Sequence, residues 1–163
     1  MIALKDYQIK AIGELTVKVL TFLNKSEKAV ITFKSPTGSG KTLMVSELLK
    51  NIALIPNSNI SIVWISVRML HEQSKEKLER YFEDLRLIKC SYFSGLTDRK
   101  IEQNEILFIN WESINRKNVN IMVRENELDN NLNSIIRNTK DEGRRILLVI
   151  DESHHTAKSS SLF

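Results

Sequence analysis

Ser35-Pro36-Thr37-Gly38-Ser39-Gly40-Lys41-Thr42 constrains the chain more than any other stretch. An apolar, β-branched run, Ala29 to Phe33, leads into it, and a helix-forming run, Leu43 to Leu54, leaves it. Strand, glycine-containing loop and Lys-Thr at a helix start form a phosphate cradle. Backbone N–H groups of Thr37, Gly38, Ser39 and Gly40 and the helix N-terminus face the anion, and the helix dipole favours its charge. Lys41 reaches the terminal phosphates and the Thr42 hydroxyl suits Mg²⁺. The strict pattern has glycine where this chain has Ser35, so the flanking elements and a later acidic pair carry the assignment.

That pair is Asp151-Glu152, directly after the apolar run Ile146 to Ile150. Adjacent carboxylates at the end of a buried strand suit two jobs: one anchors hydrated Mg²⁺, the other orients and deprotonates an attacking water. His154 and His155 follow, with no cysteine or carboxylate pair at a zinc spacing.

The rest of the chain predicts the frame. Asp6 is the expected N-cap of a first helix of about 17 residues, with Ile9, Ile12, Leu15, Val19 and Phe22 on its apolar face. A second helix stops before Pro56, and Ile60 to Ser66 has the near-continuous apolarity of a parallel strand covered on both faces. A charged helix over roughly 69–85 follows, with Leu70, Leu78, Tyr81 and Leu85 inward. Ile88 to Phe93 and Glu105 to Ile109 read as short strands. Leu128, Leu132, Ile135 and Ile136 mark an amphipathic helix that Gly143 closes. Strands alternating with helices predict an α/β domain with a largely parallel sheet, whose ligands bind outside the carboxyl ends of the strands. Cradle and acidic pair both fall at such ends.

With 163 residues, one domain is the expectation. The net charge of +4 permits nucleic-acid contact without demanding it. A single cysteine, Cys90, excludes an intramolecular disulfide framework and reads as an inert strand residue. No apolar run reaches membrane-spanning length, so a cytoplasmic protein without membrane contact is expected.

Ser35–Thr42 paired with Asp151-Glu152-Ser153-His154 resembles motifs I and II of the superfamily 2 helicase-like (DExH-type) ATPases, where the first motif often begins with alanine or serine. Leu4-Lys5-Asp6-Tyr7-Gln8 is similar to the upstream glutamine motif, which implies that Gln8 reads the adenine edge with Tyr7 packed nearby. An amide suits adenine because it donates and accepts at once. Read by themselves, Tyr7 and Gln8 simply begin a surface helix. The stretch from Trp64 to Gln73 resembles the motif Ia region, which implies DNA-backbone contacts from Ser66 and Arg68; the plain alternative there is a helix cap. Phe108 to Asn115, Met122 to Asn126 and Thr139 to Arg144 look like the Res subunits of type III restriction-modification enzymes, along nearly the whole chain. Ser153 departs from the usual alanine or proline at a position neutral to chemistry.

The resemblance implies a RecA-like P-loop domain that hydrolyses ATP with Mg²⁺ to move along or switch on double-stranded DNA, beside a modification (methyltransferase) subunit. Lys41 then stabilises the transferring phosphoryl charge, Thr42 and (through water) Asp151 place Mg²⁺, and Glu152 activates water. His154 couples the site to a second RecA-like domain, and Asn110 and Ser113 lie near DNA. Motif III, the second domain and a nuclease lie outside the sequence. It therefore reads as a first RecA-like domain ending after motif II, one expected to bind nucleotide weakly and barely hydrolyse it alone. Three other readings stand beside this one: a superfamily 2 repair or remodelling helicase without nuclease, a non-motor P-loop protein such as a small-molecule kinase, and a purely structural P-loop domain.

Overall fold

The computed structural model describes residues 3–25, 28–67, 70–112 and 132–151. They divide into two compact units, Met1–Ser58 and Asn59–Phe163.

The first unit pairs two helices. Helix α1 spans Asp6–Leu23 and helix α2 spans Lys41–Ala53, and the two pack on each other. The N-cap of α1 is Lys5, not Asp6. The Gln8 side chain supplies the capping bond: its Oε1 accepts the Lys5 N–H at 2.9 Å. Asp6 is the first helical residue, where its carboxylate complements the dipole. The buried stripe is Gln8, Ile12, Leu15 and Val19, spaced four, three and four apart as one helical face requires. Gln8 takes the place expected of Ile9, which is 55% exposed, and Phe22 is exposed as well.

Among the described residues Ala29 to Phe33 forms no strand. None of them forms a ladder with it, although Ile31 and Phe33 are half-buried while Val30 and Thr32 are exposed. That alternation is the period of extended backbone. A β-branched run favours extension, but a strand exists only through a paired neighbour.

The second unit is a four-stranded, all-parallel sheet: β1 Ile60–Ser66, β2 Lys89–Ser91, β3 Glu105–Asn110 and β4 Arg145–Ile150, in the order β2-β3-β1-β4. Helix α3, Leu70–Phe82, packs on β1, β2 and β3, and helix α4, Leu132–Asp141, packs on β4. Register follows from parallel pairing, with Ser66 opposite Asn110 and Ile65 opposite Ile150. All seven residues of β1 are buried. Val63, Ile65, Leu107 and Ile109 form one core cluster with Ile101 and with Ile135 of α4. Trp64 and Phe108 meet with ring centroids 6.0 Å apart.

The strand expected over Ile88 to Phe93 is shorter, and Phe93–Gly95 is a 3₁₀ turn. Of the predicted α4 positions, Leu128 lies outside the described residues. Gly143 does close α4. Its φ is +75°, its N–H donates to the Lys140 carbonyl at 2.8 Å, and the Arg144 N–H returns to the Thr139 carbonyl. Those two bonds are the Schellman arrangement. Strand β4 corrects a further expectation: it is an edge strand among the described residues and only half-buried, with Leu148 48% exposed.

Among the described residues one acidic side chain, Glu105, lies in the core. Glu105, 0% exposed, accepts from Ser91 Oγ at 2.5 Å, from the Glu102 N–H at 2.7 Å and from Lys89 Nζ at 2.8 Å. Three donors from two directions satisfy it, which is the condition for burying a carboxylate.

Candidate ATP site and sheet rim

The phosphate loop is built from one tight turn and a left-handed helix N-cap. Ser39 N–H donates to the Pro36 carbonyl at 3.2 Å, closing a turn whose third residue is Gly38, φ +78°. A type II turn needs positive φ at that position. Gly40, φ +86°, is the left-handed N-cap of α2, and no side chain caps the helix there. The first bond inside α2 runs from the Met44 N–H to the Gly40 carbonyl at 2.9 Å. The N–H groups at the start of α2 thus carry the partial positive charge of an uncapped helix end.

Lys41 folds its ammonium back over the loop, donating to the Ser35 carbonyl at 3.0 Å and the Pro36 carbonyl at 3.4 Å. Ser35 Oγ and Ser39 Oγ share a short hydrogen bond. Sequence reasoning treated Ser35 only as a tolerated substitute for glycine. Its hydroxyl and its carbonyl both hold the loop, a role that residue type alone does not announce.

The loop is also tied to α1. Tyr7 Oη and Gln8 Nε2 each donate to the Ser39 carbonyl at 2.9 Å. Gln8 is buried and uses both ends of its amide internally, one on Lys5 and one on Ser39. A Cβ on Gly40 would stand 2.7 Å from Gln8 Nε2, so the close approach demands glycine there as much as φ does. These residues fit a polyphosphate: an ammonium at the loop carbonyls, left-handed backbone at two glycines and an uncapped helix end. The Thr42 hydroxyl follows one residue after Lys41, where it would hold Mg²⁺.

The carboxyl rim of the sheet carries the second set. The Asp151 N–H donates to the Ile65 carbonyl at 2.9 Å, which sets Asp151 at the end of β4 beside β1. Asn110 ends β3 at the same rim, and its Oδ1 accepts the Glu112 N–H at 3.0 Å. Ser66 ends β1 but is 0% exposed, and its hydroxyl accepts from Trp64 Nε1 at 2.9 Å. The structure gives Ser66 a packing role in place of the surface position that a DNA contact requires. Arg68, Ser113, Glu152 and His154 lie outside the described residues.

Near the end of β2 stands a group that sequence reasoning passed over. His71, in the first turn of α3, meets the Tyr92 ring edge-on at 6.1 Å, and Lys75 Nζ lies over that ring at 4.8 Å. The i, i+4 spacing of His71 and Lys75 was the readable signal. Burial lowers the His71 pKa, opposed by the negative charges of Glu72 and Glu112. Burial, helped by Glu79 and opposed by Lys75, pushes the Cys90 thiol up to about 12. A thiol that holds its proton is a poor nucleophile.

A family model described as "Type III restriction enzyme, res subunit" matches residues 1–162. The chain belongs to this family. Its membership makes the chain a superfamily 2 helicase-like ATPase domain of the RecA-like P-loop type, with which the parallel sheet and flanking helices agree. No curated protein matches the chain. No solved structure matches it either. Among the described residues no helix is long and apolar enough to cross a membrane.

Proposed function

We propose that this res-family domain is the first RecA-like motor domain of a type III restriction subunit, driving movement or switching on double-stranded DNA by ATP hydrolysis. The observation that carries the reading is the phosphate loop, with Gly38 and Gly40 left-handed and Lys41 held across its carbonyls, in a chain matched by the res family over residues 1–162.

In this reading the N–H groups of Thr37, Gly38, Ser39 and Gly40 bind the phosphates, and Lys41 offsets the charge that builds on the transferring phosphoryl group. Thr42 and, through water, Asp151 hold Mg²⁺, which when bound neutralises phosphate charge. Glu152 takes the proton of the attacking water, and His154 links the site to a second RecA-like domain. The Gln8 amide is engaged by the Lys5 N–H and the Ser39 carbonyl, so Gln8 and Tyr7 brace the loop in place of the adenine contact that the glutamine motif implies. Arg68, Asn110 and Ser113 contact the DNA backbone without reading sequence. The partners are duplex DNA and a methyltransferase subunit, in the cytoplasm.

The test is ATP hydrolysis by the res subunit that carries this domain, with and without double-stranded DNA. The reading expects stimulation by DNA and its loss in Glu152→Gln. Turnover indifferent to DNA would contradict the motor. DNA-stimulated turnover with no cleavage beside the methyltransferase subunit would point to a repair or remodelling helicase instead.

A further inference from the structure

Two donors from consecutive residues of α1 converge on one carbonyl of the phosphate loop. Tyr7 Oη and Gln8 Nε2 both reach Ser39 O at 2.9 Å. In a trans peptide the carbonyl and the following N–H point to opposite sides of the same plane. Holding the Ser39 carbonyl on α1 therefore turns the Gly40 N–H away from α1. The left-handed backbone of Gly40 would otherwise leave that plane free to rotate, since glycine has no Cβ to restrict it.

Gln8 is constrained to this job by its own surroundings. It is 6% exposed, and its Oε1 is engaged by the Lys5 N–H. Tyr7 is 50% exposed and reaches the loop only through its hydroxyl among the bonds it makes. Removing that hydroxyl subtracts one anchor from the peptide plane and leaves the ring.

We propose that Tyr7 is a positioning residue for the phosphate cradle: through the Ser39 carbonyl it presets the Gly40 N–H, so its contribution to nucleotide binding falls on the polyphosphate and not on the base. This rests on the reading of residues 35–42 as an ATP cradle.

The experiment measures binding of ATP, GTP and inorganic tripolyphosphate, each with Mg²⁺, to the wild-type chain, Tyr7→Phe and Lys41→Ala. Tyr7→Phe is expected to weaken all three ligands by one common factor, about 5-fold for a single hydrogen bond. The ATP-to-GTP preference and the melting temperature without ligand stay at wild-type values. Weakening confined to ATP would make Tyr7 a base contact and overturn the proposal, as would unchanged affinity for tripolyphosphate. A loss of melting temperature with no common factor in affinity would reduce Tyr7 to a packing residue. The cradle reading fails separately: it falls if the wild type binds neither ATP nor tripolyphosphate, or if Lys41→Ala binds both as well as the wild type.

Discussion

The phosphate loop and the sheet rim are held by opposite means. In the loop, side chains and glycines do the holding: Lys41 on the Ser35 and Pro36 carbonyls, Tyr7 and Gln8 on Ser39, and two left-handed glycines. At the rim, the ladder and the core do it. Ser66 is buried and bonded by Trp64, and Asp151 is placed by a backbone bond to Ile65, while at the opposite end of the sheet Glu105 anchors the start of β3. The difference teaches where mutations should register. Loop substitutions should cost ligand binding before stability, whereas sheet substitutions should cost stability first.

The largest stability loss is expected at Glu105. Glu105→Ala leaves the exposed Lys89 without its partner, and the part-buried Glu102 N–H and buried Ser91 hydroxyl without their acceptor. Denaturant unfolding should show a loss of about 2–4 kcal/mol, the cost of leaving two sheltered donors without an acceptor. A loss near zero would mean that the sheet is not held as described.

Two glycines sharpen the contrast, because they have nearly the same φ and different neighbours. Gly40→Ala places a Cβ 2.7 Å from Gln8 Nε2 at φ +86°. It should cost about 1–2 kcal/mol from the left-handed backbone alone, and should also weaken Mg-ATP by displacing Gln8 from Ser39. Gly143→Ala meets nothing within 4 Å at φ +75°. It should cost the same backbone strain, about 1–2 kcal/mol in unfolding experiments, and leave nucleotide affinity unchanged. Equal effects of the two on ATP affinity would break the comparison.

Much of this was legible in the sequence, for physical reasons that differ by element. The near-continuous apolar run of β1, five of seven residues, has no exposed face to specify, so its central place follows directly. Gly143 after an amphipathic run reads as a stop because almost no other residue tolerates the left-handed C-cap. Ile146 to Ile150 is equally apolar, yet β4 is half-exposed. Apolarity says that a strand seeks cover, not which neighbours provide it. Ala29 to Phe33 forms no strand among the described residues for the same reason. Ser66 misled because a hydroxyl at a strand end suits a phosphate, while its i−2 neighbour Trp64 claims it on the same face. The bonds of Tyr7 and Gln8 to Ser39 join residues 32 and 31 positions apart, and no local pattern encodes them.

The central claim is that residues 35–42 cradle the phosphates of ATP, and Lys41 tests it most directly. Titration of Mg-ATP against the wild-type chain and Lys41→Ala, with thermal melting as the control for folding, separates chemistry from structure. Loss of a charge-assisted bond to phosphate should weaken ATP by about 10-fold or more, while the melting temperature without ligand stays near the wild-type value. Equal ATP affinity in the two folded proteins would contradict the account.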